Sequence, residues 1–281
     1  MRTIDAAQIT EAVAKLAIDA NYYLSPDVLE ALQKGVKTEE SPLGKEILEQ
    51  LVENACIAKN EDMPICQDTG MAVIFVELGQ DVHVTGGGLN DAINAGVAKG
   101  YKDGYLRKSV VDDPLFVRKN TGDNTPAITH LTIVPGDKMK ITLAPKGFGS
   151  ENMSAMRGMK PSDGVAGVKK FVVETVQNAG SNPCPPIVLG IGIGGTVEMA
   201  AIQAKKALTR PINVRNANPE YAKLEEELLE LVNNTGVGPQ GLGGRITALA
   251  VNINHYPTHI AGMPVVININ CHATRHAEIT L

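Results

Sequence analysis

Three cysteines stand in stretches that look little like core packing. Cys66 lies in Pro64-Ile-Cys-Gln-Asp-Thr-Gly70, a loop entered by proline and left by glycine. Cys184 lies in Asn182-Pro-Cys-Pro-Pro186, where prolines fix the backbone on both sides and remove competing N–H donors. Cys271 closes the alternating run Val265, Ile267, Ile269, shares its apolar face on that pattern, and opens into His272-Ala-Thr-Arg-His276. Four cysteines in 281 residues are poor disulfide candidates in a reducing compartment, where metal or redox chemistry is the stronger expectation. Their spacings match neither a zinc ribbon nor a ferredoxin, so the residues alone leave a shared metal site and unrelated thiols both open. Cys56 falls on a helical stripe and is expected as a small core hydrophobe.

Other polar residues carry two readings each. Asp68 precedes Thr-Gly and suits an Asx-turn cap as well as acid–base chemistry. Arg107, between Leu106 and Lys108, suits a solvated surface as well as a carboxylate clamp. His259 in Pro257-Thr-His-Ile260 can be satisfied by its own loop, and Gly149 can be a simple turn. His272, Arg275 and His276 read as a positively biased strand end or as charge compensation for a nearby anion. His83 and His130 lie in strand-like segments and are assigned nothing.

The elements that must position these residues are legible in outline. Ser41-Pro42 opens a helix with a hydroxyl cap and proline at the first helical position, and Leu43, Ile47, Leu48, Leu51, Val52 and Ala55 share its stripe with Cys56. MAVIFVELG after Gly70 is a strand, and the glycines at 86–88 turn into another helix. TPAITHLTIVPGDKMKITLAPKG reads as a hairpin turning at Pro135-Gly136-Asp137. A valine-striped helix ends near Gly180, PPIVLGIGIGGT is a strand entering a helix, and Tyr221 to Val232 is amphipathic. RITALAVNIN and PVVININC are strands flanking HYPTHIAGM. Helices precede, follow and interrupt antiparallel strands, which predicts an α+β fold. Residues 1–60 are expected to be mainly helical, and 61–281 to form a largely antiparallel or mixed sheet packed with helices, all in one domain without repeat or linker.

A net charge of −5 gives no footprint for nucleic acid. No apolar run reaches the roughly 20 residues of a membrane helix, and the start reads as an amphipathic helix rather than a signal peptide. The expected compartment is the cytoplasm. Gly190-Ile-Gly-Ile-Gly-Gly195 satisfies the dinucleotide fingerprint, but the second strand ending in an acid is missing, so close packing of a helix on a sheet, or the lining of a metal pocket, is favoured over nicotinamide binding by a dehydrogenase.

The same segments carry a resemblance. CQDTG at 66–70, LRKSVVDDPL at 106–115, RKNTGDNTPA at 118–127, KGFGSEN at 146–152, NPCPP at 182–186, GIGIGGT at 190–196, GPQGLGG at 238–244 and NCHATRH at 270–276 resemble, in order, the alpha subunit of class I, iron–sulphur-dependent fumarate hydratases. That family also contains L-tartrate dehydratase, and several of these forms are more similar to the fumarases. The resemblance implies a [4Fe–4S] cluster held by Cys66, Cys184 and Cys271, with one iron left for substrate. It implies Asp68 as proton donor to the hydroxyl, and Gln67, Arg107, Gly149 and His259 as substrate contacts. It further implies a beta subunit carrying the carbon base, negligible activity from this chain alone, and an alpha dimer within an alpha/beta heterotetramer. The implied reaction is reversible hydration of fumarate to (S)-malate; dehydration of L-tartrate or of a methylated analogue is the alternative.

Overall fold

The computed structural model describes residues 2–281. The chain opens with β1 (Arg2–Asp5), α1 (Ala6–Tyr22), α2 (Pro26–Thr38) and α3 (Pro42–Asn60). There follow β2 (Met71–Gly79), β3 (Val82–Thr85), α4 (Leu89–Asp103), β4 (Ile128–Val134), β5 (Met139–Lys146) and the short α5 (Phe148–Glu151). Next come β6 (Ala155–Met159), α6 (Gly164–Ala179), β7 (Ile187–Gly194), α7 (Val197–Ala207) and α8 (Pro219–Asn233). The chain closes with β8 (Ala248–Tyr256), β9 (Met263–Asn270) and β10 (Ala277–Thr280). Helices and mixed sheets make an α+β fold, with the N-terminal part helical as the sequence predicts.

Two compact units share the chain. Among the described residues the first takes 2–24, 56–148 and 275–281, and the second takes 25–55 and 149–274.

In the first unit a four-stranded sheet runs in the order β10-β5-β2-β4. Ala72 to Val76 of β2 are buried without alternation, the mark of a strand covered on both faces. Ile74 and Val76 join Ile141 and Leu143 of β5 with Ile9, Val13 and Leu16 of α1 and Ile93 and Val97 of α4 in one core. The hairpin expected between β4 and β5 does not form. β2 lies between them, parallel to β4 and antiparallel to β5. The Pro-Gly-Asp connection spans the end of β2 instead, and Gly79, Gln80 and Asp81 donate to Lys138, Val134 and Gly136 carbonyls at 2.8, 2.8 and 3.0 Å. The turn chemistry is real, but the most apolar strand takes the central place because it has two faces to bury.

The second unit carries the sheet β6-β9-β7-β8, with β7 parallel to β8 and antiparallel to β9. One face packs on α6 and α8 through Val172, Val176, Leu228 and Val232 against Leu189, Ile191, Val265, Ile267 and Ile269. On the other face Val266 meets Ala200 and Ala204 of α7. A Cβ on Gly190 would sit 2.1 Å from the Ala204 carbonyl oxygen, and one on Gly192 would sit 1.9 Å from that of Ala200. The glycines of the fingerprint therefore let α7 lie directly on the sheet, as the sequence favours. Cys56 departs from expectation. The buried stripe of α3 runs through Ile47, Leu48, Ala55 and Ala58, and Cys56, one position off, is exposed. Cys271 also lies just past the end of β9, half-buried, rather than within the strand.

Candidate active site

In the first unit the turn holding Cys66 is fixed from several sides by hydrogen bonds to its backbone. Ile65 is buried and its N–H donates to the Asn21 carbonyl at 3.0 Å. The Tyr101 hydroxyl donates to the Thr69 and Gly70 carbonyls at 2.7 and 3.1 Å, and burial pushes its pKa well above the usual tyrosine range. Gly70 has φ +70, and a Cβ there would meet the Lys146 backbone at 2.6 Å, so only glycine lets the turn press against β5.

Asp68 is held at both oxygens. Oδ1 accepts from Gly70 N at 3.0 Å, the Asx-turn bond, and Oδ2 accepts from Phe148 N at 3.0 Å. Each carboxylate oxygen has about two acceptor sites, so one backbone bond apiece leaves capacity for a further partner. Beside it Arg107 Nη1 donates to Gln67 Oε1 at 2.6 Å, both residues being exposed at the surface of the unit. Thr69 Oγ1 donates to the Arg107 carbonyl at 3.0 Å. Asn124, fully buried, completes the clamp: its Nδ2 donates to the Gly70 carbonyl at 3.1 Å, and its Oδ1 accepts from Ser109 N at 2.7 Å. The turn that carries the half-buried Cys66 thiol thus presents the Gln67 amide bonded to the Arg107 guanidinium, and next in sequence a carboxylate held by two backbone N–H groups. Asn124 and Tyr101 are not among the residues expected from sequence; the signal for Asn124 is its place in the motif stretch 118–127.

In the second unit three of the motif stretches meet. Cys184, exposed and at φ +53, donates its N–H to the Ser181 carbonyl at 3.0 Å. Its own carbonyl accepts from His272 N at 3.2 Å. Gln240 Nε2 donates to the Pro185 carbonyl at 2.7 Å and lies 3.2 Å from His272 Nδ1. The turns bearing Cys184 and Cys271 are thereby tied together, with the 238–244 loop as the brace. Gly149 is exposed, and a Cβ on it would meet the Asn182 carbonyl oxygen at 3.4 Å, next to the Cys184 loop. Glu151, at the end of α5, accepts from Lys205 Nζ at 2.5 Å and from Asn268 Nδ2 at 2.8 Å, which ties α5 to α7 and β9.

His259 is placed elsewhere. Its Nδ1 accepts from Ala261 N at 3.2 Å, so the ring caps its own loop. The sheet register pairs Val188 with Asn270 at one end of β7 and Gly194 with Tyr256 at the other. At ~3.3 Å per residue the His259 loop is therefore about 20 Å from the Cys184 and Cys271 turns of the same chain.

All four cysteines are thiols rather than disulfides. Among the described residues no three His, Cys, Asp or Glu side chains form a ready metal site, so neither unit gathers the thiols by its own fold. A guanidinium does lie beside the Cys66 turn: Arg275 is 5% exposed and donates through Nη2 to the Asp68 carbonyl, while its Nε and Nη1 are buried without a hydrogen-bond partner.

The fumarate hydratase (Fumerase) family model matches residues 10–280. The chain belongs to that family. It is accordingly a hydro-lyase chain. It is 44% identical over 275 residues to the putative L(+)-tartrate dehydratase subunit alpha of Methanocaldococcus jannaschii, covering 96% of each chain. It is 33% identical over 281 residues to the L(+)-tartrate dehydratase subunit alpha of Escherichia coli K12, covering 97% of this chain and 92% of that relative. No helix among the described residues is long and apolar enough to cross a membrane.

Proposed function

We propose that this chain is the alpha subunit of a cytoplasmic, [4Fe–4S]-dependent fumarate hydratase that interconverts fumarate and (S)-malate, with Cys66, Cys184 and Cys271 as the cluster ligands. The observation that carries the reading is the Arg107–Gln67 hydrogen bond on the turn that carries Cys66 and the braced carboxylate of Asp68. The donor set suits the group: three accessible thiols offer soft ligands, and the buried Arg275 offers positive charge near the first of them. When bound, a cluster with one iron lacking a cysteine supplies a Lewis acid to polarise the hydroxyl oxygen.

The chain's own residues do the rest. Arg107 takes one substrate carboxylate with its planar fork, and Gln67, hydrogen-bonded to it, fixes the direction of that fork. Gly149 offers backbone at a place without a side chain. Asp68 accepts a proton from the attacking water in hydration and returns it to the departing hydroxyl in dehydration. The carbon base is assigned to a beta subunit, which the alpha-subunit names of the relatives support, in an assembly built on an alpha dimer. His259 enters no step within its own chain.

A second reading, L(+)-tartrate dehydration, is favoured by the names of the relatives. The experiment is anaerobic co-expression with the beta chain, iron and sulphide analysis, and turnover of malate, fumarate and L-tartrate. Bound iron with sulphide and a higher kcat/KM on malate than on tartrate is expected. A higher kcat/KM on tartrate overturns the fumarate assignment, and a colourless chain holding zinc or nicotinamide overturns the cluster.

A further inference from the structure

We propose that Arg275 is the charge-compensating residue for the cluster: its buried guanidinium, with Nε and Nη1 unpartnered within the chain, offsets the negative charge of sulphide and thiolate beside Cys66. The inference rests on the cluster reading above and assigns to it a residue outside the ligands and the substrate contacts.

Burial of a guanidinium is unfavourable unless an anion accompanies it. Arg275 is 5% exposed, yet the bond it makes goes to a neutral group, the Asp68 carbonyl. The carboxylate of that same residue accepts from the N–H groups of Gly70 and Phe148 and makes no hydrogen bond to the guanidinium. Tyr101, also close by, is kept protonated by burial and spends its hydroxyl proton on the Thr69 and Gly70 carbonyls. Two donors of a fixed cation are left without an acceptor. Such groups in a native interior call for a partner the protein chain does not itself supply.

The position selects the anion. Arg275 braces the carbonyl two residues beyond Cys66, so its charge is fixed relative to that thiol by the turn. A substrate carboxylate has to enter and leave, and the exposed Arg107 serves that need, whereas a side chain closed to solvent suits a resident group. Fixed positive charge there offsets the net negative charge of a cluster with three thiolates.

The test compares wild type, R275M and R275K with the beta chain present, reading iron and sulphide content, the rate of iron release to a chelator, KM, and the melting temperature of the cluster-free protein. Met keeps an unbranched apolar stem and removes the charge. R275M is expected to melt no lower than wild type without cluster, because an uncompensated buried cation has been removed, and to release iron roughly 10- to 100-fold faster. R275K is expected to stay close to wild type in iron release. Unchanged iron release in R275M overturns the proposal. So does equal damage in R275M and R275K, or a cluster-free R275M that fails to fold, either of which makes Arg275 a brace rather than a charge. A raised KM at full iron content assigns the guanidinium to substrate and overturns the proposal as well. A wild-type chain that takes up no iron overturns the cluster reading and this inference together, a result separate from the others because it appears before any variant is compared.

Discussion

Gln67 and Arg107 lie 40 residues apart and share a hydrogen bond of 2.6 Å, which leaves the guanidinium oriented before any carboxylate arrives. Loss of a charge-assisted bond to substrate costs about 1.5–3 kcal/mol, so R107A is expected to raise KM for the dicarboxylate roughly 10- to 100-fold. R107K should recover part of the loss, since lysine keeps the charge but not the fork. Steady-state kinetics of the reconstituted enzyme checks this, and an unaltered KM in R107A would remove Arg107 from the site. At this scale the motif residues were legible because their types name their chemistry. Asn124 was not, because a buried asparagine joining the Cys66 turn to the Arg107 segment looks in sequence like any turn residue; its φ of +64 and its contacts appear only in the fold. The second reading given to Asp68 also survives, since the Asx-turn bond forms and leaves room for proton transfer.

Elements depend on contacts that a sequence signals only by kind. The fingerprint glycines predict a strand–turn–helix, and the fold shows why a dinucleotide is unnecessary to explain them. G192A would push a methyl to 1.9 Å from the Ala200 carbonyl oxygen, a clash that forces α7 off the sheet. Overpacking of this kind costs about 1–3 kcal/mol or more, whereas G158A, with nothing within 4 Å, should be close to neutral. Thermal melts of the two variants decide it, and equal melting temperatures would refute the close packing. A second element-scale case is Glu39, after α2. Partial burial raises its pKa, but N–H groups of Ser41, Arg245, Ile246 and Glu40 outweigh that and hold it below the usual value of 4.5. A depressed carboxylate contributes stability above its unfolded pKa and loses it as pH falls through the lower folded one. E39Q should therefore be less stable than wild type at pH 7, by about 1 kcal/mol once solvent screening is allowed for. The gap should close below pH ~4.5; a gap constant from pH 7 to pH 3 would show that charge plays no part. The expected β4–β5 hairpin belongs here too. Turn residues report that the chain bends, not which strand fills the space beneath the bend.

At the scale of the whole molecule, the helical start, the mixed sheets and the α+β class were legible, because hydrophobic periodicity reports local structure directly. The division into two compact units was not. Each unit is assembled from separated stretches, with changes at 24/25, 55/56, 148/149 and 274/275, so no linker composition marks them. The 55/56 change even falls inside α3, where a continuous helix leaves no sequence trace. The same scale governs catalysis. Breaking a carbon–hydrogen bond next to a carboxylate needs a base within hydrogen-bond reach of that carbon. On and against the Cys66 turn the first unit carries Asp68, assigned in the proposed function to the hydroxyl side, and Tyr101, whose hydroxyl is bound to two carbonyls and made harder to ionise by burial. Neither suits the task. The chain purified alone with its iron in place is therefore expected to bind dicarboxylate through Arg107 but to turn it over at least about 1,000-fold more slowly than the complex with its beta chain, given the typical contribution of a positioned general base. Addition of the beta chain should restore the rate, and titration of one chain with the other should give a plateau at a fixed ratio. Full turnover by the isolated chain would place the base here and end the division of the site between two subunits.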